Sequence, residues 1–235
     1  MTGSAALEAI RSFDYWPEIG EGTVDTLIMT ALSLAFTVLI GLPVGVTLFL
    51  TGPTQRSERF LIARLQRWTY KTVSFIVNVL RSLPFLILLI LLIPTTRWLV
   101  GTSLGVAGSI PPLVIAAAPF FARLVENLLR EVDRGVFEAC RALGATTRQT
   151  VLWALLPETL TGLLAAITVT AIALIGYSAM SGVIGGGGLG DLAVRYGYQR
   201  FNVPVMVITV AILIVLVQVV QALGDRLVAY LSHQH

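Results

Sequence analysis

The chain is short of charge. Asp, Glu, Lys and Arg make up 12% of its 235 residues, about half the share of a soluble domain, while 56% are apolar. With a mean hydropathy of +0.84, this composition excludes a disordered chain, a nucleic-acid-binding domain and an ordinary soluble enzyme. It points to an integral membrane protein. Cysteine is nearly missing, and Cys140 alone excludes an intrachain disulfide framework. The two histidines, His233 and His235, read as a tail rather than a metal site or a catalytic imidazole. Lysine is missing apart from Lys71, which follows Tyr70. The Gly-Lys-Ser/Thr step of a P-loop therefore cannot be written anywhere in the chain, and ATP hydrolysis would have to come from a partner.

What is present is a set of long apolar runs. A helix needs roughly 20 apolar residues to cross the hydrocarbon core. Five stretches qualify: 24–50, about 73–93, about 104–121, about 160–177 and 203–223. The third is interrupted by Pro111, Pro112 and Pro119. The runs are continuous rather than alternating, which excludes a β-barrel. Residues 1–22 carry Glu8, Asp14, Glu18 and Glu21 and lack a basic region followed by a short apolar core. They read as an amphipathic lead-in rather than a cleavable signal, ahead of one membrane domain over 23–235.

Basic residues set the expected orientation. Arg56, Arg59, Arg64, Arg67 and Lys71 follow span one; Arg123, Arg130, Arg134, Arg141 and Arg148 follow span three; Arg226 lies near the C-terminus. That side should be cytoplasmic, with the N-terminus outside and the C-terminus inside. Arg81 and Glu126 sit near the cytoplasmic ends of spans, where snorkelling or pairing would settle them. No Asp, Glu or His chain crosses the midplane, which weighs against a proton-coupled carrier.

The loop between spans three and four has a helical pattern of its own. Val132, Val136, Cys140 and Leu143 recur at helical spacing, with Arg134, Glu138 and Arg141 opposite. Gly144 is a C-terminal stop. Thr146 and Gln149 form a capping box for a second short helix, and Pro157 restarts the chain into span four. The loop, about 131–157, is expected to be two short helices with a tight turn at Gly144. An interfacial helix lying on lipid headgroups is the alternative. The run Gly185 to Gly190 satisfies G-x-G-x-x-G, but it follows a span rather than a strand. It is expected to let the external connection fold tightly, with Asp191, Arg195 and Arg200 solvated or facing a partner.

Glu138-Ala139-Cys140, then Gly144, then Leu156-Pro157 resembles the EAA loop of binding-protein-dependent ABC importer permeases. Cys140 and Ala154 depart from that pattern. The resemblance extends to the methionine-uptake permeases through Gly41-Leu42-Pro43-Val44-Gly45, Arg81-Ser82-Leu83-Pro84-Phe85, Ala118-Pro119-Phe120-Phe121-Ala122-Arg123 with Glu126-Asn127, Gly176-Tyr177-Ser178-Ala179-Met180, and Gly187-Gly188-Leu189-Gly190 through Tyr196-Gly197-Tyr198. It implies an all-α membrane protein of five transmembrane helices with a two-helix coupling loop, working by alternating access. The implied partners are a second copy, two cytoplasmic ABC ATPase subunits holding ATP and Mg, a periplasmic or lipoprotein binding protein, and membrane lipid. No metal, no cofactor on this chain and no nucleic acid are implied. Glu138, Ala139, Cys140, Gly144, Ala145, Thr146, Leu156 and Pro157 would couple to the ATPase. Tyr177, Ser178 and Met180 would belong to the gate or pathway, Met180 being the gate candidate. The alternatives are a permease for another small amino acid or, from a different class, an ion-coupled secondary carrier.

Overall fold

The computed structural model describes residues 14–53 and 60–232, with the side chains of 60–62 and 134 outside the description. The expectations for residues 1–13, Arg56, Arg59, His233 and His235 therefore lie outside the described residues. Every regular element among the described residues is helical.

Helix α1 (Trp16–Thr51) begins ahead of the expected boundary at 22/23, with Pro17 in its first turn. Its 36 residues at ~1.5 Å each exceed the membrane core by well over a turn. Helix α2 (Phe60–Ser82) returns, and α3 (Phe85–Leu91) and α4 (Ile93–Val100) follow. The expected single span over 73–93 is broken here. The axes of α2 and α3 differ by 105°. Pro84 lacks an N–H and disfavours helical geometry at Leu83, while Ser82 Oγ donates back to the Asn78 carbonyl at 2.8 Å. A new helix starts where Leu88 N–H reaches the Pro84 carbonyl at 3.0 Å. Among the described residues there are thus four helices long enough to cross, or five spans if the bent pair is counted as one.

Helix α5 (Gly105–Glu131) runs unbroken through Pro111, Pro112 and Pro119, so the expected interruption does not occur. Pro112 and Pro119 are buried in it, which fits the rule that proline is tolerated where neighbouring helices enclose the freed backbone groups. Then come α6 (Arg134–Ala142), α7 (Thr147–Gln149), a π-helical stretch (Thr150–Leu155), α8 (Leu156–Glu158) and α9 (Leu160–Ser181). A 3₁₀ turn (Gly182–Ile184), α10 (Gly188–Leu192), a second π-helical stretch (Ala193–Tyr198) and α11 (Val203–Ser232) complete the chain.

The central packing is α1 against α5, running parallel. A Cβ added at Gly45 would lie 2.6 Å from the Ala122 carbonyl oxygen, and one at Gly41 would lie 3.0 Å from that of Ala118. The two backbones therefore touch, as small residues permit in membranes. Around this seam Phe49, Phe121, Val125 and Leu129 form one buried cluster, and Met29, Phe85, Leu113 and Leu174 another. Helix α11 leaves Val207, Ile214 and Val215 exposed, an apolar face suited to lipid.

The connection between α9 and α11 folds tightly, as expected of its glycines. Gly187 and Gly188 have φ of 78° and 75°, a region that costs other residues roughly 1–2 kcal/mol. Leu189 N–H then donates to Thr26 Oγ1 on α1 at 2.9 Å. Asp191 pairs with Arg195 at 2.8 Å, and the Arg195 and Arg200 guanidiniums lie 5.0 and 4.6 Å from the Tyr196 ring centre.

Substituting Gly45→Ala should lower stability by roughly 1–3 kcal/mol through overpacking at the seam. Gly20→Ala, whose Cβ would meet nothing within 4 Å, should not lower it. Thermal unfolding of the purified protein in detergent checks the pair; equal midpoints would contradict the seam.

Candidate functional site

The loop after α5 starts where Val132 turns extended, with ψ of 136°. Asp133 caps α6, its Oδ1 accepting from Gly135 N–H at 2.6 Å. Helix α6 ends in two reciprocal bonds: Gly144 N–H to the Arg141 carbonyl and Ala145 N–H to the Cys140 carbonyl, both 3.0 Å. This is a Schellman turn, and it requires the φ of 71° that Gly144 adopts. The expected capping box is present. Thr146 Oγ1 accepts from Gln149 N–H at 3.4 Å, while Thr146 N–H donates to Gln149 Oε1 at 2.9 Å. The loop is two short helices joined at Gly144, as expected.

The attachment of this hinge differs in detail from the expected apolar face. Phe137 lies against Phe49 of α1, with ring centres 5.7 Å apart. Val132, Phe137 and Leu156 pack on the Phe49–Phe121–Val125 cluster, into which Val151 and Leu155 are buried. The π-helical stretch places Thr150, Val151 and Leu155 inward together. Leu143, the last position of the apolar repeat, is 86% exposed. It lies past the end of α6, where helical spacing no longer governs direction. Trp153 on the second helix is 74% exposed. Between the two helices is a concavity of about 340 Å³ lined by Cys140, Leu143, Ala145, Gln149 and Trp153. Glu138, Ala139, Gly144, Thr146 and Pro157 are exposed, while Cys140, Ala145 and Leu156 are half-buried. The eight loop residues singled out from sequence thus lie on one small unit. Phe137, Leu143 and Trp153 are the additions. Phe137 was legible as a second apolar position beside Val136; the outward direction of Leu143 and Trp153 had no local signal.

Just above the loop, α5 carries a buried carboxylate. Glu126 is 1% exposed. Its two oxygens accept from Arg123 Nη1 and Arg130 Nη2, each at 2.5 Å. This is the pairing expected for it. The second nitrogen of Arg123 reaches Asn78 Oδ1 at 2.9 Å and also the Ser74 hydroxyl, and Arg130 reaches the Tyr70 hydroxyl at 3.2 Å. The cluster therefore ties α2 to α5.

At the far end of α9, Tyr177 stacks on Phe85 with ring centres 4.6 Å apart and planes 15° from parallel. Ser178 is buried, donating to the Ile175 carbonyl at 2.8 Å. Met180 is 41% exposed. The structure places Tyr177 and Ser178 within the packing of this chain and leaves Met180 at its surface. Among the described residues no group of three or more His, Cys, Asp or Glu side chains could hold a metal ion.

The sequence profile of the family described as "Binding-protein-dependent transport system inner membrane component" matches residues 60–233. The chain is 43% identical over 212 residues to a probable D-methionine transport system permease protein, MetI, of Vibrio cholerae, covering 90% of this chain and 91% of the relative. It is 53% identical over 161 residues to the D-methionine transport system permease protein MetI of Escherichia coli K12, covering 68% and 71%. An inward-facing structure of the MetNI methionine ABC transporter superimposes with a TM-score of 0.87 at 48% identity, over 93% of this chain and 98% of that one.

Replacing Glu126 by Gln leaves two guanidiniums without their carboxylate. Loss of one member of a buried pair costs roughly 3 kcal/mol or more. Glu126→Gln should lower the unfolding midpoint by several degrees, while Glu131→Gln, at an exposed position, should not. A midpoint unchanged by Glu126→Gln would show that the cluster does not hold α2 to α5.

Proposed function

The chain belongs to the family of binding-protein-dependent transport system inner membrane components, and from that premise we propose that it is the permease subunit of an ATP-driven importer of methionine. It is a multi-pass protein of the bacterial inner membrane. The relatives' description as D-methionine permeases, and the description of the superimposing structure as a methionine ABC transporter, support methionine, including the D-isomer, as the substrate.

The observation that carries the mechanism is the loop: two short helices locked at Gly144, mounted on the core through Phe137, and presenting Leu143 and Trp153 to the exterior. An exposed apolar tip on a rigid mount is the geometry of a docking element. We read it as the coupling unit of a cytoplasmic ABC ATPase, with Glu138, Ala139, Cys140, Gly144, Ala145, Thr146, Leu156 and Pro157 shaping it. Two copies of the chain form the pore, and two ATPase subunits bind and hydrolyse ATP with Mg. A periplasmic or lipoprotein binding protein delivers the substrate from outside. The basic side, carrying the loop, faces the cytoplasm, which places the N-terminus outside and the C-terminus inside.

Force passes from the loop into α5 and α1, because Phe137 and Phe49 are in contact and α1 and α5 share a backbone seam. At the opposite end Met180 seals the path. A flexible unbranched apolar side chain can close a pore against its counterpart without a fixed charge.

Three experiments test this reading. In proteoliposomes containing the assembled transporter, methionine uptake should require ATP and the binding protein. Uptake by this chain alone, driven by an ion gradient, would overturn the proposal. Leu143→Asp with Trp153→Asp should abolish co-purification of the ATPase while leaving the unfolding free energy of the chain within about 0.5 kcal/mol of the parent, as surface changes do. Retained assembly would remove the docking role. For the gate, Met180→Ala should raise substrate leak or basal ATPase rate, and no change in either would leave Met180 a packing residue.

A further inference from the structure

Helix α2 has a second face that the coupling reading does not use. Its sequence, Phe60 to Ser82, contains no Asp or Glu. Arg64, Arg67 and Lys71 fall at i, i+3 and i+7, so they share one side of the helix, and Trp68 lies between them. All four are exposed, Trp68 at 64%. With Ala63 they line a cleft of about 510 Å³. Among the described residues no carboxylate pairs with any of these three cations. The nearby Arg123 and Arg130 differ, since both are matched to Glu126.

The same face continues into the membrane as apolar surface. Phe75, one turn beyond Lys71, is 68% exposed, and Val79 is 42% exposed. Along one side of α2, Arg64, Arg67 and Lys71 with Trp68 among them form a cationic stretch, unmatched among the described residues, and bare apolar side chains follow. A charged stretch followed by an apolar one matches the headgroup and the acyl chain of a phospholipid. Tryptophan is enriched at the headgroup level.

From this arrangement we propose that the first turns of α2 form a binding site for an anionic phospholipid, with Arg64, Arg67 and Lys71 holding the headgroup phosphate, Trp68 beside the headgroup among them and Phe75 and Val79 against the acyl chain. A cluster serving only to orient the chain during insertion would need charge alone, not a cleft, an interfacial indole and an apolar stripe in register. Each cation near an anionic surface contributes about fivefold to the preference, so three on one face suffice to select an anionic lipid from a zwitterionic background. The proposal does not depend on which solute the protein transports.

The test uses the full-length chain with Trp16, Trp98 and Trp153 each replaced by Phe, so that Trp68 reports alone. It is placed in nanodiscs of phosphatidylcholine containing an equal mole fraction of brominated phosphatidylglycerol or brominated phosphatidylcholine. Brominated phosphatidylglycerol should quench Trp68 at least about twofold more strongly, the direction the cationic face requires. Arg64→Gln, Arg67→Gln and Lys71→Gln together should erase the difference, and Arg64→Lys with Arg67→Lys should preserve it. In sealed membrane vesicles, labelling of Cys140 by an impermeant maleimide from the same side as in the parent confirms that the neutralised variant inserts as the parent does. Soluble glycerol phosphate should not compete. Equal quenching of the parent by the two lipids overturns the proposal, as does a preference that survives neutralisation. Competition by glycerol phosphate would replace the lipid with a soluble phosphoester. Should neutralisation detach the ATPase without altering lipid preference, the face serves a protein instead.

Discussion

The contact between the backbones of α1 and α5 at Gly41 and Gly45 is the constraint on which the rest of the molecule depends. In hydrocarbon there is no water to drive apolar side chains together, so close approach and dispersion must hold helices. The seam brings Phe49 to the level of the loop, where Phe137 rests on it. Further along, Thr26 of α1 receives the amide of Leu189 and so fixes the connection between α9 and α11. The loop that meets the outside world at one end and the glycine-rich turn at the other are both referenced to α1.

Buried polar groups are handled in three ways. Most threonines donate to the carbonyl one turn earlier in their own helix, as Thr26, Thr159 and Thr170 do, which satisfies them at no cost to packing. Glu126 is neutralised by Arg123 and Arg130, whose remaining donors are taken up by α2. Among the described residues, the hydroxyls of Thr30, Ser33 and Thr37 on α1 have no hydrogen-bond partner. Their contribution is small size along the face of the seam.

Much of this was legible in the chain itself. The capping box at Thr146 and Gln149 and the stop at Gly144 are local, and the structure reproduces both. Such motifs close hydrogen bonds within a few residues, so distant contacts cannot override them. The proline effects were read less well. Pro84 breaks a span, whereas Pro111, Pro112 and Pro119 leave α5 intact. The same residue type gives opposite outcomes because helix continuity depends on what surrounds the freed carbonyl. Leu143 is the other case: it shares the apolar repeat with Val132 and Val136, and only the packing shows that it faces outward.

By itself the sequence determined membrane residence, the long apolar helices, the two-helix loop and the want of a P-loop, because each follows from hydropathy, local hydrogen bonding or the simple lack of a lysine in the right place. The tertiary structure alone decided the 105° break at Pro84, the seating of the loop through Phe137 on Phe49, the burial of Ser178 beside an exposed Met180, and the unmatched cationic face of α2. Each of these turns on which residues from distant parts of the chain become neighbours, and that is set by helix packing rather than by local pattern.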